Sequence, residues 1–122
     1  MTQPPLARTC FAFALALIFA AAGASKLIDH QTAVDDFTRW GLPAPAALSI
    51  AVGVWEVCAA ALLMAGVAAR RVALALVAEM AVALAFAGRA DGGPQLVVPS
   101  ALAVLCLALA WLSPPGERVP AQ

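Results

Sequence analysis

Four long apolar runs constrain this chain more than any other feature: residues 10–27, 44–69, 72–88 and 96–112. An α-helix rises 1.5 Å per residue, so a bilayer core about 30 Å thick takes roughly 20 apolar residues. Each run reaches or nears that length. The 122 residues are 64% hydrophobic and 11% charged, whereas soluble domains are about 45–50% apolar and about 25% charged. A short chain has too little interior to hide so much apolar surface from water. The expected architecture is all-α, an integral membrane four-helix bundle. It forms a single transmembrane domain over residues 1–122, with helices near 8–28, 45–67, 71–88 and 95–112 and an exposed tail at 113–122.

The formal net charge is zero, which leaves no basic surface for nucleic acid. The partner that composition implies is the lipid bilayer. Cys10, Cys58 and Cys106 lie in or beside apolar runs, too far apart for a CxxC redox pair or a metal-ligand cluster. They read as small hydrophobes. The first run also has the outline of a signal peptide, with Arg8 before an apolar stretch and a small-x-small site at Ala22-Gly23-Ala24. The same small residues suit a packed membrane helix, where they let backbones approach.

The longest polar connection is "DHQTAVDDFTRWGLP", residues 29–43. On a short helix Ala33, Val34, Phe37 and Trp40 share one face, with Asp35, Asp36 and Arg39 turned away. This is the pattern of an interfacial segment between the first two spans, with Trp40 at headgroup depth. Gly41, Pro43 and Pro45 end it and open the next helix. Arg70-Arg71 makes a tight charged turn, and "GRADGGP" (88–94) a break before the last span. With four spans, Arg8, Arg70, Arg71 and Arg118 share one side and Lys26, Arg39 and Arg89 the other. The bias of Lys and Arg toward the inside then puts both termini in the cytoplasm.

Two glutamates interrupt the apolar runs, Glu56 and Glu79. A carboxylate at the centre of a membrane helix is costly, so such residues face a bundle interior or a wet cavity. Counting from Pro45, Glu56 lies about 16 Å deep; counting from Arg71, Glu79 lies about 12 Å from the opposite surface. Both fall near the midplane on consecutive helices, expected to be neighbours, where two close carboxylates would share a proton. Ser49, Gly53, Glu56 and Ala60 form one stripe of small or polar residues, and Ala75, Glu79 and Ala83 a second. Gly23 belongs to the same set of helix-packing residues. A plainer reading stands beside this: each glutamate, neutral, hydrogen-bonds a neighbouring helix and does nothing else.

Lys26, near the end of the first span, can snorkel to the interface on its long stem. Pairing with Glu56 must close roughly 13 Å of depth by the same count, which argues for the outward direction. Asp29 is the nearer partner, and His30 reads as a solvated connection residue. The candidate polar cluster is therefore Lys26, Glu56, Glu79 and Ser49.

Taken in order, "FAAAGASKLIDH", "FTRWGLPAP", "VGVWEVCAAALLMAGVAARR" and "AEMAVALAF" resemble the DoxX-like family of small four-helix bacterial membrane proteins. The matching positions are Gly23, Lys26 and Leu27; Phe37, Gly41 and Pro43; Glu56 and Gly66; Arg70; and Met80 with Ala83, over about residues 11–86. Glu79 departs from the pattern. The resemblance implies a four-helix bundle in the inner (plasma) membrane with an intact first span rather than a cleaved leader, and a link to redox physiology. It also leaves open an inward Lys26 that pairs with Glu56 inside the bundle. Some members are subunits of quinone-coupled sulfur oxidoreductases, and others sit in complexes handling thiol stress.

The expected function is an accessory or anchoring subunit of a membrane-associated, quinone- or thiol-linked redox system. The alternative is a non-redox membrane chaperone or a proton-coupled carrier using the intramembrane glutamates. The sequence holds no haem-ligand pair, nucleotide motif or metal motif. A bound quinone is the cofactor this leaves, and a redox-complex subunit or a second copy of the chain the protein partner. As an isolated chain it is not expected to be an enzyme.

Overall fold

The computed structural model describes residues 5–114, the side chains of Pro5 and Gln95 excepted. The elements are α1 (Pro5–Ile28), α2 (His30–Arg39), α3 (Pro45–Ala65), α4 (Ala69–Asp91), a 3₁₀ turn (Gly93–Leu96) and α5 (Val97–Leu112). There is no strand among the described residues. The protein is an integral membrane helical bundle. α1, α3 and α4 are each long and apolar enough to cross a bilayer, and α5 is a shorter apolar helix. Its 16 residues span about 24 Å, and the 3₁₀ turn before it adds about 8 Å.

The boundaries differ from expectation by two or three residues at several helix ends. α1 begins at Pro5 rather than residue 8, and α4 runs through Arg89 and Ala90 to Asp91. Gly88 stays inside α4 because Leu96 covers it: a Cβ there would lie 2.9 Å from the Leu96 Cδ2. The helix stops one turn later, at Gly92, whose φ of +80° favours glycine. α2 is a regular ten-residue helix with Ala33 and Phe37 buried. The tail expected at 113–122 and the expected cytoplasmic segment before α1 fall largely outside the described residues.

The bundle is built from two intimate pairs, α1 with α3 and α4 with α5, which meet each other more loosely; α2 packs on α3 and α1. Small residues set the first pair. A Cβ on Gly23 would sit 2.6 Å from the Gly53 carbonyl oxygen, and one on Gly53 would sit 3.0 Å from that of Gly23. Only glycine at both positions allows the two backbones to touch. α3 and α4 are neighbours, as expected of consecutive spans, though each is gripped more closely by a different partner.

The half of the bundle away from α2 is closed by apolar packing around Leu15, Ala16, Phe19, Leu76, Cys106 and Leu109, each 1% exposed or less. Large apolar side chains instead cover the outside, with Leu17 59%, Val104 66% and Trp111 83% exposed. That arrangement suits a hydrocarbon solvent, where outward-facing leucine and valine cost nothing.

Candidate functional site

The Gly23–Gly53 crossing fixes the register of α1 against α3, and that register decides where Lys26 points. A Cβ on Gly23 would also lie 3.0 Å from the Glu56 Cβ, so Lys26 stands only one turn above Glu56. Its Nζ donates to Glu56 Oε1 at 2.8 Å, with the lysine side chain 23% exposed and the glutamate 2%. The outward direction argued from depth is overturned. That count took the end of α1 and the start of α3 as level. In the structure α3 begins well beyond the end of α1, and α2 packs alongside its first turns. An amphipathic α2 makes this offset favourable, because it covers the protruding end of α3.

Lys26, Glu56 and Glu79 line one cavity of about 300 Å³, whose other walls are apolar, among them Phe19, Trp40, Met80 and Leu102. Glu79 Oε1 is buried with no hydrogen-bond partner among the described residues. Such a group costs about 1–3 kcal/mol if left unsatisfied. Val82 and Val98 also line this cavity and are 51% and 64% exposed, so its mouth opens between α4 and α5 toward the surrounding hydrocarbon.

Ser49 does not join the cluster. It is fully buried, donates to the Ala46 carbonyl oxygen at 3.1 Å and lies 3.4 Å from His30 Nδ1. His30, expected in a solvated connection, opens α2 against α3. Of the packing residues, Gly23, Gly53 and Ala60 are buried at helix contacts and Ala83 lines the cavity. Ala75 is exposed. The stripe Ala75–Glu79–Ala83 is therefore not a contact face from end to end. The buried face of α4 runs through Val72, Ala73, Leu76 and Met80, because α5 covers α4 from the other side.

A second polar assembly pins α2 to the end of α4. Arg39 Nε and Nη2 donate to the two carboxylate oxygens of Asp91 at 2.9 Å each, and the Trp40 indole N–H donates to Asp91 Oδ2 at 2.8 Å. Asp36 accepts from Arg39 Nη1 at 3.1 Å. The hydrogen bond to Asp91, and then that to Asp36, pushes the Arg39 guanidinium further above its usual range. Phe37 and Trp40 stack with ring centroids 5.7 Å apart. Asp91 carries no signal of this role in the sequence, where it sits in a run of turn residues 52 positions from Arg39.

All three cysteines are free, Cys10 and Cys58 exposed and Cys106 buried. Among the described residues no group of three His, Cys, Asp or Glu side chains is placed to hold a metal ion.

The match with known families fits the elements that build this site. Residues 9–89 match the DoxX family model. The chain belongs to the DoxX family. In this DoxX protein the match runs from α1 almost to the end of α4, so Gly23, Lys26, Glu56 and Glu79 lie inside it and α5 beyond it. No curated protein and no solved structure matches the chain.

Proposed function

We propose that this DoxX protein is an accessory or anchoring subunit of a quinone-linked redox system in the inner (plasma) membrane, where it holds a lipid-soluble quinone. The observation that carries the reading is the shape and chemistry of the cavity. It is apolar on most walls, open toward lipid, and charged at one end by Lys26 and Glu56. Ligand sites are commonly apolar clefts of about 300–1,000 Å³ with a few convergent polar groups. At about 300 Å³ this one suits a quinone ring whose isoprenoid tail leaves between α4 and α5. Lys26 and Glu79, whose Oε1 has no hydrogen-bond partner among the described residues, are the polar groups that would hold the ring. Reduction to the quinol takes two electrons and two protons. The electrons would have to come from a partner's cofactor, while Lys26, Glu56 and Glu79 would bind the ring and supply protons.

In this reading both termini lie in the cytoplasm, with Arg8, Arg70 and Arg71 at the cytoplasmic end and Lys26, Arg39 and Arg89 at the other. Purification in mild detergent followed by lipid extraction tests the quinone reading. Quinone is expected near one per chain and lost in Lys26→Met. Recovery of none, together with unchanged quinone and thiol redox states on deletion, refutes it. The rival, a proton-coupled carrier, draws on the unpartnered Glu79. Unchanged vesicle proton flux in both Glu56→Gln and Glu79→Gln removes that rival.

A further inference from the structure

A second cavity lies on the far side of Lys26. It measures about 180 Å³ and is lined by Ser25, Asp29, Thr32 and Asp36, with Lys26, Phe37 and Trp40 forming its floor. Ser25, Asp29 and Thr32 are exposed, so this cleft opens at the surface on the α2 side. Lys26, Phe37 and Trp40 also line the apolar cavity. Three side chains thus form the whole shared wall between a polar surface cleft and an intramembrane chamber. Two of the three are aromatic, stacked on each other and pinned through the Trp40–Asp91 hydrogen bond. The third is an ammonium group 2.8 Å from a carboxylate, within the reach that proton transfer needs.

A cavity at the other end of the bundle shares no lining residue with the chamber. Below the chamber Leu15, Ala16, Ala59, Ala60, Ala73 and Leu76 are each 2% exposed or less. About 15 Å of α4 separates Glu79 from Ala69. The cavity at that end, of about 200 Å³, is lined by Arg8, Ala12, Leu63 and Leu109, and Arg70 and Arg71 open α4 at the same end. Between it and the chamber the ionisable side chains among the described residues are the thiols of Cys58, exposed, and Cys106, buried.

We infer that the Lys26–Glu56 pair is a one-sided proton connection, linking Glu79 to water on the α2 side and to nothing on the other. Around the connection stand Asp29 before α2, Asp36 from α2, Glu56 from α3 and Glu79 from α4, and the buried Cys106 thiol of α5 faces Glu79. In the transfer, the Lys26 ammonium passes a proton to Glu56, one N–H bond breaking as an O–H bond forms. Glu56 passes it to an ionised Glu79, its O–H bond breaking as that of Glu79 forms. The pair recovers that proton from water in the cleft. The net change is one proton moved from the α2-side water to Glu79, with nothing oxidised or reduced. Whether or not the chamber holds a quinone, this sidedness follows from the two cavities and the apolar plug, so failure to recover quinone leaves it standing.

Infrared spectroscopy on the full chain in oriented proteoliposomes tests the inference. The carboxyl stretch of Glu79, assigned by its loss in Glu79→Gln, is followed after a pH step on one face. It should respond to a step on the α2 face about tenfold or more faster than to the same step on the opposite face, and Lys26→Met should slow it by about tenfold or more. An equal response to both faces, a faster response from the opposite face, or none from either overturns the inference. So does an unchanged rate in a folded Lys26→Met. The sidedness measurement uses the unaltered chain, so it decides the matter even where Lys26→Met does not fold.

Discussion

Removing Lys26 should be the most damaging single change to this bundle, and by more than removing its partner. The Lys26–Glu56 contact is 2.8 Å long. At an effective dielectric constant of about 20 the attraction between unit charges at that distance is about 6 kcal/mol. Desolvating the two groups costs several kcal/mol each, so the pair as a whole roughly breaks even. Deleting one partner does not. Glu56, 2% exposed, has no water to turn to, and Lys26→Met strands it at a cost of about 3 kcal/mol or more. That is roughly a hundredfold in the folding equilibrium. Glu56→Met leaves a lysine already 23% exposed, whose stem can swing its charge into the polar cleft, so the loss should be about 1 kcal/mol. The double variant Lys26→Met/Glu56→Met replaces both charges with apolar side chains and should return to within about 1 kcal/mol of the parent. Equilibrium unfolding by sodium dodecyl sulfate in mixed micelles, run as a double-mutant cycle, reads all three. A coupling below about 0.5 kcal/mol, or a larger loss from Glu56→Met than from Lys26→Met, refutes the reasoning.

Three further outcomes follow from the same geometry. Gly23→Ala, whose Cβ would meet the Gly53 carbonyl oxygen at 2.6 Å, should cost about 1–3 kcal/mol in the same unfolding assay; an unchanged stability would show that α1 and α3 can part freely. Glu79→Leu removes a buried oxygen that has no partner among the described residues, so it should stabilise the protein by about 1 kcal/mol or more while abolishing quinone retention. A loss of stability there contradicts the assignment. Asp91→Asn weakens both arms of the Arg39 contact and the Trp40 hydrogen bond. Amide hydrogen exchange in α2 should then rise severalfold with that in α3 unchanged, and equal exchange in parent and variant would mean the clamp does not hold α2.

The site divides into parts that one-dimensional reasoning reaches and parts it does not. Glu56 and Glu79 stand out because a carboxyl in an apolar run needs a reason, and Gly23 and Gly53 because small residues at helical spacing mark close contacts. The pairing of Lys26 with Glu56 was hidden. Its distance depends on how far α3 overshoots α1, and neither helix carries that offset in its own residues. The Asp91 clamp was hidden for a similar reason, since Arg39 and Asp91 meet only once α4 has run past Gly88 to the level of α2. Ala75 misled because helical spacing identifies a face without saying whether a neighbour covers it.

The sequence by itself determined the solvent, the helices and the identity of the polar groups. Each follows from local composition, because burying so many apolar residues in a chain this short requires a bilayer, and helical periodicity then orders them. Register and pairing were decided only by the tertiary structure. Gly23 against Gly53 sets one helix's height on another, and that height turns a lysine expected at the interface into the inner half of an ion pair. It also leaves room for the chamber, and lets α2 cap one end while apolar side chains seal the other. Such offsets of a few ångströms come from contacts between segments distant in the chain, which no window of neighbouring residues contains.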